Sequence, residues 1–230
     1  MTRRLLVLDT ATTHALVALG TVEGRLVEAR SWAAGYRHGE ELLARLEALL
    51  DDQGTTPAGL AGLIAGTGPG AFTGLRVGLA TAKGLAHALG LPIVGVSTGS
   101  ALIGAAAAVR GLDPASLVLV QPAGPSDRVV SRLGEPSRIL PGGSEPELGP
   151  EDTLLAVDLD DRAPGPAVEL GRVAREGLAA ALLSAGAERL LAGDADDLAR
   201  LVPEYVTLPR GVRSLPAGEG VALSGGTARP

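Results

Sequence analysis

The chain has 230 residues, a formal net charge of −6 at pH 7 and no cysteine. The lack of cysteine excludes disulfide frameworks, thiolate zinc sites and cysteine nucleophiles, and the negative charge argues against a surface built for nucleic acid. Hydrophobic residues make up 46% of the sequence and aromatic residues only 2%, so the hydrophobic core has to be built from alanine, leucine and valine.

The first half of the chain shows strand and helix signals in alternation. Three short apolar runs open it, at 3–9, 14–20 and 25–32, and the tight turns between them predict antiparallel strands. Leucines at three- and four-residue spacing predict a helix over 39–52. The series continues with a strand over 60–66, a helix over 72–89, a strand over 92–96 and a helix over 97–110. This order predicts a partly parallel sheet covered by helices on both faces.

The second half repeats these signals more weakly. Its predicted strands cover 116–120, 128–133, 136–140 and 153–157, and its predicted helix covers 166–184. The sequence AERLLAG after this helix predicts another strand or a short helix, and the Pro- and Gly-rich residues 141–150 predict a loop. We therefore expect an N-terminal lobe over 1–110, a reduced C-terminal lobe over 111–213 and a disordered tail over 214–230.

A glycine-rich segment, GTGPGAFTGLRVG at 66–78, lies between the fourth strand and the second helix. It is not a phosphate loop of the Walker type, because Lys83 stands well beyond the last glycine of the turn. It also lacks the acidic residue of a dinucleotide-binding unit, since no Asp or Glu lies between Asp52 and Asp113. We interpret it as a tight turn into the helix, whose first amides could accept an anion beside Arg76.

The helix over 72–89 is apolar or small on nearly every face. Its ionisable side chains, Arg76, Lys83 and His87, form one narrow stripe. A helix of this kind is normally buried on two sides. The sheet can cover one side, and either internal packing or a second polypeptide covers the other. Small residues at four-residue spacing favour the close approach of another helix.

The sequence DTATTH, which begins at Asp9 after the first strand, is typical of the opening of the sugar kinase, actin and Hsp70 superfamily. In that superfamily this turn wraps around ATP phosphates and usually contains glycine. The methyl group of Ala11 hinders such an approach. We therefore interpret Asp9, Thr10, Ala11 and Thr12 as a degenerate phosphate loop, with a locally bonded polar hairpin as the alternative.

The sequence shows no metal site at helical histidine spacing. The three histidines, His14, His38 and His87, are too far apart to form a zinc-binding pair on one helix. The sequence VDLDD at 157–161 clusters three carboxylates, for which a solvated loop and a hard-cation site are alternative interpretations. We expect no metal or other cofactor to bind to this chain alone.

Three segments resemble the TsaB (YeaZ) family of tRNA threonylcarbamoyladenosine biosynthesis proteins. They are LLVLDTATTHALVAL near the amino terminus, RHGEELL at 37–43 and GTGPGAFTGLRVGLATAKGLAHALGLPIVGVSTGSAL at 66–102. Near the end, PEYVTLPRGV is similar to the Pro-x-Tyr close of the family. Many members carry an Asp-Ala-Arg stretch after the first strand of their second half, where this chain reads VQPAGPSDR, so the role of loop 121–128 stays open.

The resemblance implies an α/β fold of the actin-like, ribonuclease H-like type, with two lobes that each hold a mixed sheet flanked by helices. It also implies a noncatalytic scaffold subunit of the complex that attaches threonylcarbamoyl to an adenosine of tRNA. The partners would be a TsaD-like catalytic subunit and a TsaE-like ATPase, which would carry the metal and the ATP. The complex would bind the tRNA, and the chain alone would form a homodimer.

Members of this family pair through their two N-terminal helices, which match 39–52 and 72–89 here. The packing groups predicted for this interface are Leu42, Leu46, Leu75, Leu79, Ala82 and Ala86. We expect His38, Arg76 and Lys83 to lie at its polar edge.

Other functions remain open from the sequence. A small-molecule kinase of the same superfamily would bind Mg-ATP by itself, and a glycoprotease-like metalloprotein of the peptidase M22 type would hold a metal ion. A homodimer acting outside the complex is a third alternative. No apolar run approaches the roughly 18 residues of a membrane span, and the apolar stretch after the amino terminus is too short for a signal peptide, so we expect a cytoplasmic protein.

Overall fold

Five strands from the first part of the chain form one mixed sheet. The computed structural model describes residues 3–34 and 38–206, and these strands are β1 (Arg4–Asp9), β2 (His14–Thr21), β3 (Leu26–Ala33), β4 (Leu60–Gly66) and β5 (Ile93–Val96). Their order is β3-β2-β1-β4-β5. The first three strands pair antiparallel, whereas β4 runs parallel to β1 and β5 runs parallel to β4. Tight turns suffice for the antiparallel pairs, and the two parallel pairs need helical crossovers.

The second sheet repeats this arrangement with four strands. They are β6 (Leu117–Pro122), β7 (Arg128–Ser131), β8 (Arg138–Leu140) and β9 (Thr153–Ala156), in the order β8-β7-β6-β9. The first three again pair antiparallel, and β9 runs parallel to β6. Two mixed sheets with the same strand arrangement confirm the two-lobed α/β fold predicted from the sequence.

Four α-helices in the described residues cover the sheets. They are α1 (His38–Asp52), α2 (Phe72–Leu89), α3 (Thr98–Arg110) and α4 (Gly165–Leu191). The hydroxyl of Ser97 caps α3 by accepting the N–H of Ser100, and Gly90 ends α2 in the left-handed conformation. The separate element predicted for AERLLAG was wrong, because these residues continue α4 without a break as far as Leu191.

Each face of the first sheet packs on a different pair of helices. Successive strand residues point to opposite faces, so Leu6 and Leu8 lie in one core with α1 and α2, while Leu5 and Val7 lie in another with α3 and α4. Leu119 of the second sheet belongs to this second core. The α3–α4 layer therefore lies between the two sheets.

The last described residues return to the first sheet. The Asp196 carboxylate accepts the N–H of Gly95 on β5 at 2.7 Å. The N–H of Glu204 donates to the carbonyl of Thr67 at 2.8 Å. Residues 194–206 therefore pack on the first lobe, although they follow the second sheet in the sequence.

The described residues include no helix that is long and apolar enough to cross a bilayer. The lobe boundary expected at residue 110 stays a prediction. The tail expected over 214–230 lies outside the described residues.

The position of α4 between the sheets predicts a large effect of a truncation at Leu182. This side chain is 0% exposed in the core shared by both sheets, so Leu182→Ala leaves a cavity and should lower the free energy of unfolding by about 3 kcal/mol. Ser184→Ala, on the exposed side of the same helix, should change it by less than about 0.5 kcal/mol. Urea unfolding followed by circular dichroism measures both, and equal effects would contradict this position of α4.

Candidate functional site

The turn between β1 and β2 is buried by other parts of the chain. The four residues of the predicted degenerate phosphate loop are each exposed by 2% or less, namely Asp9, Thr10, Ala11 and Thr12. The Thr10 hydroxyl donates to the carbonyl of Gly74 on α2 at 2.6 Å. The Ala11 carbonyl accepts the N–H of Ala71 at 2.9 Å. The turn therefore packs directly against the beginning of α2.

Two glycines make this close packing feasible. A Cβ atom at Gly70 would overlap the carbonyl of Ala11, and one at Gly78 would overlap the hydroxyl of Thr10. Any larger residue at either position would push α2 away from the turn. The glycine-rich segment thus forms a packing surface against the turn, which its sequence pattern alone did not indicate.

The Asp9 carboxylate ties the end of β1 to the beginning of α3. Its Oδ1 accepts the N–H of Ala11 at 2.9 Å, and its Oδ2 accepts the hydroxyl of Thr98 at 2.6 Å. Burial raises the pKa of the Asp9 carboxyl to about 6, although the two hydrogen bonds act in the opposite direction. The hydrogen bond to Ala11 is local, as the interpretation as a polar hairpin predicts. The hydrogen bond to Thr98 joins residues that are far apart in the sequence.

Asp158 connects the second lobe to the same turn. It follows β9, and its carboxylate accepts both the N–H and the hydroxyl of Thr13 at 2.7 Å. Arg175 on α4 forms an ion pair with it at 3.3 Å. These contacts close the cleft between the lobes beside the turn. The described residues contain no group of three potential metal ligands, and this includes the carboxylates at 157–161.

The apolar residues predicted as partner contacts are buried in the core of the chain itself. Each of these six residues is exposed by 6% or less: Leu42, Leu46, Leu75, Leu79, Ala82 and Ala86. A helix turns its large apolar side chains toward its own sheet first, and both helices do so here. Their assignment to a partner interface was therefore wrong. The substitution Leu79→Glu would disrupt folding and would not test an interface.

The residues predicted at the polar edge lie in different environments. The Lys83 ammonium donates to the carbonyl of Leu201 at 2.9 Å and so contacts the C-terminal segment, and its place at a partner edge stays a prediction. Arg76 is exposed, and its guanidinium carbon lies 4.9 Å from the ring centre of Phe72. His38 begins α1, but its side chain lies outside the described part of the structure, so its role stays a prediction.

A different surface of the same two helices is exposed. We define the outer α1–α2 face by Leu43, Ala44, Ala80, Gly84 and Ala88, all of which are exposed. On α2 the small exposed residues Ala80, Gly84 and Ala88 recur every four positions, and on α1 Leu43 is 55% exposed. The sequence analysis selected the leucine stripe as the contact surface. The small residues of α2 are the sequence signal that would have indicated the outer face.

A cavity of about 830 Å³ lies between the lobes. One wall is the beginning of α2 with Phe72, the second is the β6–β7 turn at 122–127, and the third contains Glu204 and Tyr205. We call this space the interlobe cavity. Its second wall is the loop that departs from the pattern of the resembled family. Sequence reasoning missed it because the three walls come from distant segments.

Comparisons with known proteins match this chain both to a threonylcarbamoyltransferase model and to threonylcarbamoyladenosine biosynthesis proteins. The family model described as TsaD: tRNA N6-adenosine threonylcarbamoyltransferase matches residues 33–134. An uncharacterized protein of Mycobacterium tuberculosis is 43% identical over 91 residues, which are 40% of this chain and 39% of that protein. The tRNA threonylcarbamoyladenosine biosynthesis protein TsaB of Escherichia coli is 39% identical over 98 residues, which are 41% and 40% of the two chains. The matches thus span about two fifths of the length of these curated relatives.

A solved structure extends the similarity of the fold to most of the chain. YeaZ from Pseudomonas aeruginosa superposes with a TM-score of 0.67 and 24% identity, over 88% of this chain and 99% of that chain. At this identity the similarity shows the fold. The TsaB protein of Haemophilus influenzae adds a match of 35% identity over 102 residues. The chain is thus similar to TsaB (YeaZ) proteins in sequence over about two fifths of its length and in fold over most of it.

Proposed function

We propose that the chain is a noncatalytic scaffold subunit of the complex that forms N6-threonylcarbamoyladenosine in tRNA. The similarity to the E. coli TsaB protein over 98 residues carries this proposal. In this function the chain binds a TsaD-like catalytic subunit and a TsaE-like ATPase. Those subunits supply the metal and the ATP, and tRNA binds to the assembled complex.

The closed β1–β2 turn supports a role without nucleotide chemistry. A turn that binds phosphate needs free backbone N–H groups. Here the N–H of Ala11 donates to Asp9 and that of Thr13 donates to Asp158. A kinase would need this turn to open, so the turn favours the scaffold over the kinase alternative.

We assign the contact with the TsaD-like subunit to the outer α1–α2 face. Ala80, Gly84 and Ala88 carry so few side-chain atoms that a helix of the partner can approach the backbone of α2 closely. Arg76 and His87 flank these residues and are exposed. Because α2 contains no acidic residue, its charged side chains are basic, whereas α1 also carries exposed acidic residues such as Glu47.

Reconstitution tests the proposed function directly. Unmodified tRNA is incubated with the TsaD-like and TsaE-like subunits of the same organism, the threonylcarbamoyl-adenylate synthase and its substrates, with or without this chain. We expect the chain to raise the yield of modified adenosine, measured by mass spectrometry of the digested tRNA, by at least about tenfold. Equal yields without the chain, or product formed by the chain alone, would contradict the scaffold role.

The outer α1–α2 face predicts that Ala80→Glu weakens binding of the TsaD-like subunit. The new carboxylate would lose water on binding without gaining a partner, so we expect the dissociation constant to rise about tenfold or more. Ala180→Glu is the matched control, because Ala180 is an exposed alanine of α4. Isothermal titration calorimetry compares the three proteins after circular dichroism has verified their folding. Unchanged binding by Ala80→Glu would remove the contact from this face.

The buried Asp9 predicts a pH-dependent stability. Its pKa is about 6 in the folded chain and near 3.8 in the unfolded chain, so its contribution to stability is full below about pH 4 and is lost as the pH rises through about 6. That loss amounts to about 3 kcal/mol. Asp9→Asn cannot titrate, so its free energy of unfolding relative to the wild type should rise between these pH values. Urea unfolding at several pH values measures the difference, and a constant difference would show that Asp9 is not buried.

A further inference from the structure

Two carboxylates at the interlobe cavity have no cationic partner among the described residues. Asp127 accepts the N–H of Gly142 at 3.0 Å. Glu204 accepts the hydroxyl of Ser137 at 2.7 Å and that of Ser97 at 3.3 Å. The part of the chain that the structure describes places no lysine, arginine or histidine in the cavity wall. The cavity therefore carries two negative charges that neutral groups hold in position.

The other walls of the cavity are mainly apolar and aromatic. The rings of Phe72 and Tyr205 lie 5.2 Å apart between their centres, and Tyr205 is 45% exposed. Pro69 and Val129 add aliphatic surface. The guanidinium carbon of Arg76, which is not a wall residue, lies 4.9 Å from the ring centre of Phe72, so one guanidinium already lies close to an aromatic ring of the cavity.

We propose that the interlobe cavity is a docking site for an extended segment of a partner protein that carries arginine. A guanidinium can pair with the carboxylates of Asp127 and Glu204 and lie flat on the ring of Tyr205, which a compact ammonium does less well. The neighbouring aliphatic parts of the segment pack on Pro69 and Val129. The volume of about 830 Å³ lies within the range of ligand sites in proteins, and mostly apolar walls with a few polar groups are typical of them.

The charge of the cavity decides between classes of ligand. Two carboxylates without a cationic partner repel phosphate groups, so the cavity suits nucleotides and the backbone of RNA less well than a cation. They favour a cation instead, and the aromatic walls favour arginine. The proposal goes beyond the scaffold function, because the cavity shares no residue with the outer α1–α2 face.

A labelled synthetic peptide tests this proposal with the full chain. The probe is a fluorescein-labelled heptapeptide, Ala-Pro-Arg-Ala-Pro-Arg-Ala, and its matched control replaces both arginines with the neutral isostere citrulline. Fluorescence anisotropy should show binding of the arginine peptide and at least about tenfold weaker binding of the citrulline peptide. Binding should also weaken as the salt concentration rises. No binding at millimolar protein concentration, or equal binding of both peptides, would overturn the proposal.

Substitutions locate the peptide in the cavity. Asp127→Asn and Glu204→Gln should each weaken binding about tenfold, whereas Glu151→Gln, at an exposed carboxylate outside the cavity wall, should not change it. Asp127→Asn keeps an acceptor for Gly142 and covers the case in which Glu204→Gln unfolds the chain. Unchanged binding by Asp127→Asn would overturn the site.

Two further outcomes would replace the proposed occupant. If Arg210→Gln or Arg213→Gln in the full chain strengthens peptide binding, the C-terminal segment of the chain itself occupies the cavity. If free arginine competes as strongly as the peptide, the cavity is a small-molecule site. Either result would overturn docking of a partner segment, and neither would affect binding of the TsaD-like subunit, which separates this proposal from the proposed function.

Discussion

The α3–α4 layer determines the arrangement of the whole molecule, because both sheets use it as their inner surface. Leu102 of α3 and Leu178 and Leu182 of α4 lie in one core with strands of both sheets. Separating the lobes would expose this core to water, at a cost of about 25 cal/mol for each Å² of apolar surface. The position of the sheets, and with it the cleft between them, therefore follows from the burial of these side chains and needs no bound ligand.

The cleft between the lobes has two ends. The buried β1–β2 turn fills one end, and the interlobe cavity forms the open end. At the filled end, Asp9, Thr10 and Thr13 find their hydrogen-bond partners within the chain. At the open end, Asp127 and Glu204 bond only neutral donors in the described structure. A charged ligand can therefore reach these two carboxylates at the open end, whereas Asp9 at the filled end is 0% exposed. The walls of that end come from segments far apart in the sequence, so no local sequence pattern could indicate it. The contact between Thr13 and Asp158 also joins distant segments and could not be predicted from a local pattern.

Local patterns did predict the elements of the first lobe. The helix predicted over 72–89 has the same bounds in the structure, because Gly90 supplies a left-handed end that a helix cannot easily pass. The prediction failed for the end of α4, which was expected at residue 184, whereas the helix continues through Gly186 to Leu191. A Cβ atom at Gly186 would lie 2.5 Å from Ile64, so this glycine serves close packing against the first sheet and does not end the helix. Sequence alone does not distinguish these two uses of glycine.

The same ambiguity explains why the contact face of α1 and α2 was misplaced. A leucine stripe shows which side of a helix is buried, but it does not show whether the chain itself or a partner buries it. Leu42 and Leu79 are buried in the core of the chain. The outer side of α2 therefore presents mainly small residues, such as Ala80 and Gly84, together with basic side chains. The fold of the chain therefore does not depend on a second polypeptide to cover these helices. The binding proposed for the outer α1–α2 face would then rest on close approach to the backbone, so substitutions there would change association without changing stability.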